Sequence, residues 1–315
     1  MKVLVTGAAG FVGRHLVAGL RAAGHEVLGV GRGEPVDEPL DLPDLRRVER
    51  LFRDFTPDAV FHLAAIAEVG AADADPSSTF AVNAEGTACL IRTLGNLELP
   101  CRFIHVSSSM VYGRVAPDQQ PIRETTATTP ANAYGWSKLA AEAYVNGLAT
   151  TLAKPPVILR PFNHVGPGQS ASYALSSFAR QIAAAERGGA AATLLVGNLK
   201  VTRDLLDVRD VVAAYRCVLE DSDLGGTFNV CAGRGYLLAN LVQQLVATAT
   251  VPIRVEIAAD RLRPGDCDSI VGNSDAIRHA TGWQPQVTME DTLHDLLDDW
   301  RQRLAAGEGV ESPRC

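Results

Sequence analysis

The run Thr6-Gly7-Ala8-Ala9-Gly10-Phe11-Val12-Gly13 constrains this chain more than any other feature. It follows the apolar Val3-Leu4-Val5, which reads as a buried strand. It opens a stretch with Val12, Leu16, Val17 and Leu20 at helical spacing. Gly7 permits a tight strand-to-helix turn, Gly10 lets backbone N–H groups approach a pyrophosphate, and Gly13 lets the helix pack closely. The helix N-terminus then turns partial positive charge toward the phosphates. Gly7, Gly10, Phe11, Val12 and Gly13 are the expected dinucleotide contacts. Read alone, three glycines make only a turn; position at the head of a repeating βα pattern turns them into a binding loop.

That pattern continues through the first half. Strands are expected at Glu26–Val30, Ala59–Leu63, Arg102–Val106 and Val157–Arg160, with helices near 45–55, 78–95 and 133–149 between them. Short apolar strands alternating with helices imply right-handed crossovers and a doubly wound, Rossmann-like α/β parallel sheet, covered on both faces. After Pro161 the texture changes, and Asn163 to Gln169 is too rich in Gly and Pro for a helix or a central strand. The expected division is a dinucleotide-binding domain over 1–163 plus about 207–232, and a smaller interleaved substrate domain over 164–206 and 233–304. Residues 305–315 carry no apolar pattern and read as a disordered tail.

Composition narrows the function classes. With 47% hydrophobic and 21% charged residues the chain is globular rather than disordered. A net charge of −7 and the lack of a basic tract argue against nucleic acid as partner. No apolar run is long enough to span a bilayer, and no signal-peptide pattern opens the chain, so a cytoplasmic protein is expected. The six cysteines and seven histidines show no metal-ligand spacing, and no metal is expected.

Two further stretches carry chemistry. After the second strand the chain reads Val30-Gly31-Arg32-Gly33, with no acid to hold a ribose 2′-hydroxyl, so Arg32 is expected to pair with a 2′-phosphate. This favours NADPH and leaves NADH possible. In Tyr134-Gly135-Trp136-Ser137-Lys138, phenol and ammonium lie one helical turn apart, and the cation favours the phenolate. Ser107-Ser108-Ser109 ends the preceding strand, at the carboxyl edge where open parallel sheets bind ligands. A surface Tyr–Lys pair and plain loop serines are the bland readings; the glycine loop upstream weighs against them.

These stretches together resemble the extended short-chain dehydrogenases/reductases of the NAD-dependent epimerase/dehydratase family. Besides the glycine run, the likeness rests on Asp41-Leu42, His62-Leu63-Ala64-Ala65, Asn83-Ala84-Glu85-Gly86-Thr87, Ser107 to Gly113, the Tyr134–Lys138 stretch and Arg160-Pro161. The resemblance implies that Asp41 and Leu42 contact the adenine, that Leu63, Ala64 and Ala65 line the cofactor, and that Lys138 also holds the nicotinamide ribose. It makes Ser108, Tyr134 and Lys138 the catalytic set. It also implies a homodimer through the helices near 78–95 and 133–149, with Leu139, Ala143 and Leu148 available for the contact.

Within that family, dehydratases place two acids after the catalytic hydroxyl, where this chain has Ser109 and Met110. Neither drives elimination. The second half, through Asn163 to Gln169, Arg203-Asp204 and Arg261 to Asp266, resembles the branch that reduces GDP-linked 4-keto-6-deoxy sugars. That implies Ser108, Ser109, Asn163, Arg203, Arg263 and Asp266 as substrate contacts, the two arginines suiting a diphosphate through paired charge-assisted bonds. The implied reaction is hydride transfer from NADPH to C4, protonation by Tyr134, and GDP-D-rhamnose as product. The opposite C4 face would give GDP-6-deoxy-D-talose. Two more readings stay open, a 4-epimerase with resident NAD and a nucleotide-binding regulator. Asp210 is expected to cap or position the helix that follows it.

Overall fold

The computed structural model describes residues 1–42, 44–262 and 267–308. In chain order the elements begin β1 (Lys2–Thr6), α1 (Phe11–Ala22), β2 (Glu26–Gly31), β3 (Glu38–Pro39), α2 (Leu45–Phe55) and β4 (Ala59–His62). They continue with α3 (Val69–Ala74), α4 (Pro76–Phe80), a π-helical turn (Ala81–Glu85), α5 (Gly86–Asn96), β5 (Arg102–Val106), α6 (Ala133–Gly147) and β6 (Val157–Pro161). Then come β7 (Asn163–Val165), α7 (Ala174–Gly188), β8 (Ala192–Val196), β9 (Thr202–Asp207), α8 (Val208–Glu220) and β10 (Gly226–Val230). The last are β11 (Gly235–Leu237), α9 (Leu238–Ala247), β12 (Ile253–Ile257), β13 (Ser269–Ile270), α10 (Asp275–Thr281) and α11 (Met289–Ala305).

The chain divides into two compact units, the first made of 1–162, 211–231 and 272–284, the second of 163–210, 232–271 and 285–315. Residues 272–284, read from sequence as part of the substrate domain, pack with the first unit: α10 lies against β10, and Gly272 opposes Phe162 and Cys231.

The first unit is the doubly wound sheet. Seven strands run in the order β10-β6-β5-β4-β1-β2-β3, every pair parallel. Apolar side chains alternate between faces that are both covered, so Val3, Leu4, Val5, Val60 and Phe61 are all fully enclosed. One face packs Leu4, Val60, Phe103 and Ile158 against Phe52, Leu90, Ile91 and Val145 of α2, α5 and α6. On α1, Leu16 and Leu20 are fully buried. The helix expected over 78–95 is broken into α4, the π-helical turn and α5, with Asn83 turned inward and fully buried.

The second unit is built from short strands and three helices. Leu175, Phe178 and Ile182 of α7 meet Leu293, Leu296, Leu297 and Trp300 of α11 and Leu241 and Leu245 of α9. β9 is flanked by β11 and β13, with β7 pairing parallel to its C-terminal half, and β12 pairs parallel with β8. The short strand β7 interrupts a segment that composition alone marks as irregular. In the expected tail, Ala305 still belongs to α11, and residues 309–315 lie outside the described residues. No helix among the described residues is long and apolar enough to cross a membrane.

Candidate active site

The glycine turn leaves β1 at Thr6. Gly7 has φ +72°, and a Cβ there would lie 2.7 Å from the Ala64 nitrogen. A Cβ on Gly13 would stand 2.1 Å from the Gly7 carbonyl oxygen, so α1 packs directly on the turn. Gly10 is the N-cap of α1 and brings no side chain to cap it. Close backbone walls and an uncapped helix N-terminus are what a pyrophosphate requires, and these residues fit a dinucleotide. Phe11 and Val12, in the first turn of α1, are half-buried.

A chain of directed bonds holds the neighbouring strand ends. The Ala64 N–H donates to Thr6 Oγ1 at 3.1 Å, Thr6 Oγ1 and His62 Nδ1 are 2.7 Å apart, and His62 Nε2 and Thr87 Oγ1 are 2.9 Å apart. The Thr87 hydroxyl donates to the Asn83 carbonyl at 2.6 Å, so it accepts from Nε2–H, and Nδ1 accepts from Thr6. Burial holds His62 neutral, down at about 3, with Lys138 adding repulsion. The Asn83 carboxamide reaches onward, bonding both Ile66 backbone groups and Ser137 Oγ, which donates to the Tyr134 carbonyl. Leu63, Ala64 and Ala65 are thereby placed half-exposed at the end of β4. Sequence reading quoted Asn83 and His62 without giving either this role; the π-helical turn that aims Asn83 leaves no sequence signal.

Arg32 and Asp41, expected at opposite ends of the adenosine, form an exposed ion pair with Arg32 Nε 2.7 Å from Asp41 Oδ1. Leu42 is buried in the sheet core, its Cβ beside Gly86.

Ser108, Tyr134 and Lys138 all lie in the first unit. Ser108 follows β5 and caps a 3-10 turn over Ser109–Tyr112, accepting at Oγ from the Met110 N–H at 3.1 Å. Tyr134 is half-buried in the first turn of α6, whose N-cap Asn132 accepts from the Gly135 N–H. The 3-10 turn packs on α6 at Gly135, where a Cβ would sit 2.7 Å from the Met110 carbonyl oxygen. Gly135 lets the serine's turn approach the tyrosine's helix. Lys138 is buried, and desolvation brings its ammonium down to about 8 against the pull of Glu142. Ser109 is half-buried in the 3-10 turn.

In the second unit Asn163 is exposed on β7, opposite Leu205. Arg203, half-buried on β9 and paired across the ladder with Tyr236, donates from Nη1 to the Thr202 and Cys267 carbonyls at 2.9 and 2.7 Å. Arg263 and Asp266 lie outside the described residues. Asp210 lies in the first turn of α8 rather than ahead of it. Its carboxylate accepts from the Gln286 and Val287 N–H groups, and Asp207, just before the helix, accepts from the Arg209 N–H.

Residues 3–231 match the model of the NAD dependent epimerase/dehydratase family. This chain belongs to that family. It is 37% identical over 303 residues to GDP-6-deoxy-D-mannose reductase of Pseudomonas aeruginosa, covering 96% of this chain and 98% of the relative. UDP-glucose 4-epimerase of Azospirillum brasilense is 31% identical over 335 residues, covering 98% and 94%. Among solved structures, RMD from Pseudomonas aeruginosa complexed with NADPH superposes with a TM-score of 0.87 at 36% identity, covering 96% of this chain and 99% of that one. The epimerase/dehydratase family, with its Rossmann-like sheet and NAD(P) chemistry, is the one that the motifs had indicated.

Proposed function

We propose that this chain reduces the 4-keto group of GDP-4-dehydro-6-deoxy-D-mannose with NADPH to give GDP-D-rhamnose. The 37% identity to the Pseudomonas aeruginosa reductase across 96% of the chain carries this reading. The site supports it. When bound, the dinucleotide supplies a hydride. Tyr134 protonates the oxygen at C4, Ser108 hydrogen-bonds that oxygen, and the buried Lys138 stabilises the phenolate left behind. Arg32 recognises the 2′-phosphate, a role its exposure on the loop after β2 allows. Asn163 and Arg203 hold the sugar nucleotide, and the resemblance gives Arg263 and Asp266 the same role. Ser109 and Met110 leave the chain without the acids that elimination needs.

The active form is a cytosolic homodimer paired through α5 and α6. Trp136 is half exposed and Tyr144 a third exposed, eight residues apart on α6, with Ala143 exposed beside them. Leu148, by contrast, is packed against the core of the first unit. Light scattering that finds a monomer at micromolar protein would remove the dimer.

Turnover with a panel of 4-keto-6-deoxy nucleotide sugars, followed by NMR of the product, tests the reaction. The expected result is NADPH oxidation with the GDP sugar and a rhamno product. A talo product would reverse the C4 face, and conversion of UDP-glucose by resident NAD would make the chain an epimerase.

A further inference from the structure

Glu142 stands one turn beyond Lys138 on α6, with a side chain only 3% exposed. Its Oε1 accepts from Ser107 Oγ at 2.5 Å and from Arg160 Nε at 2.9 Å, and its Oε2 accepts from Arg160 Nη2 at 2.6 Å. Arg160, on β6, sends Nη1 to the Tyr112 phenol at 2.9 Å and to the Glu124 carbonyl at 3.3 Å, and its guanidinium lies 4.9 Å over the Tyr112 ring. The Tyr112 hydroxyl in turn donates to Asn229 Oδ1 on β10 at 2.7 Å. Ser107 and Tyr112 bracket the turn that presents Ser108. One buried ion pair therefore grips both flanks of that turn and joins them to the helix carrying Tyr134 and Lys138.

Stability alone does not call for such a pair. Burying two charges costs enough that apolar replacements of similar volume are often neutral or stabilising. The bonds made here tie three elements to the reacting hydroxyl, a task an apolar pair cannot perform. We propose that Glu142 and Arg160 are positioning residues for the reduction, clamping the Ser107–Tyr112 turn against α6 so that Ser108 and Tyr134 meet the same substrate oxygen. The clamp rests on the reductase reading for its chemistry, though not for its geometry.

Glu142→Gln alone leaves a buried guanidinium without its carboxylate, which weakens folding whatever the catalytic role. The test therefore uses the paired variant Glu142→Gln/Arg160→Met beside the wild type. Hydrogen exchange should show amides 109–113 opening about tenfold faster. With the keto sugar, kcat should fall about 10²-fold, the usual consequence of a small misplacement. KM and the NADPH dissociation constant should stay within about threefold of wild type, since both side chains are buried and bonded to protein groups. Unchanged exchange, unchanged kcat, or a loss shared equally by NADPH binding would each overturn the clamp. A wild type that leaves NADPH unoxidised would overturn the reductase reading instead, and the exchange arm, which needs no substrate, would still decide the clamp.

Discussion

In the first unit, the polar groups around Ser108 are enclosed and bonded to one another, with Glu142 of α6 and Arg160 of β6 neutralising each other between helix and sheet. In the second unit, Arg203 donates from Nη1 to two backbone carbonyls, bonds that orient its guanidinium. The first arrangement suits groups that must be rigid at the moment of proton transfer. The second suits a guanidinium that must present its N–H groups to a diphosphate in a fixed direction. The two units should therefore fail in different ways: damage to the first lowers kcat, and damage to the second raises KM.

The largest effect belongs to the first unit. Tyr134→Phe keeps the ring and removes the proton donor, so kcat should fall about 10²–10⁴-fold with substrate binding retained. Steady-state kinetics with the keto sugar check this, and full activity would place the proton donor elsewhere. Next comes the second unit. Arg203→Ala should raise KM by about ten- to a hundredfold, as for a lost charge-assisted bond, while kcat changes little. A fall in kcat of the same size would erase the contrast between the units.

Why the first unit was the more legible follows from the same construction. Its strands are continuous apolar runs and its crossovers are local, so the glycine turn after β1, the serines after β5 and the helix carrying Tyr134 and Lys138 stand where the sequence puts them. Its supporting shell could not be placed from sequence. The Glu142–Ser107 contact spans 35 residues and the Tyr112–Asn229 bond 117, and nothing local announces either. In the second unit the apolar runs around Leu194–Val196 and Leu205-Leu206 indicate β8 and β9, but β12 escapes notice. β12 pairs with β8 some sixty residues earlier, its Arg254, Val255, Glu256 and Ile257 are exposed, and its alternation has little burial behind it. Asp210 looked like a helix cap because it opens α8, but the N–H groups that donate to its carboxylate lie in the chain after α10.

Acid should separate the units further. His62 and His105 are fully buried and neutral in the first unit, whereas His294 of the second unit is exposed. Their folded-state values lie below 6.5, so the unfolded chain takes up protons first. Stability is full above pH 6.5 and falls as pH drops toward about 3 for His62. His62 should cost about 2 kcal/mol between pH 6.5 and 5, and His105→Phe should make the slope in urea titrations shallower. An unchanged slope would mean that the ring takes up a proton without unfolding.

The smallest effect concerns the edge of the cofactor site. Arg32 already pairs with Asp41 on the surface, and solvent weakens what it gives to a phosphate. Arg32→Ala should cost about tenfold in the preference of kcat/KM for NADPH over NADH, through KM. Equal use of both cofactors by the wild type would leave Arg32 a surface ion pair.

In the proposed reaction the chain delivers the cofactor's hydride to C4 of a keto sugar and keeps none of it. NADPH carrying deuterium on the transferred face, incubated with GDP-4-dehydro-6-deoxy-D-mannose, tests this most directly. One deuterium at C4 of GDP-D-rhamnose is expected for each NADPH oxidised. A product without label, or sugar interconversion with no net oxidation of NADPH, would contradict it.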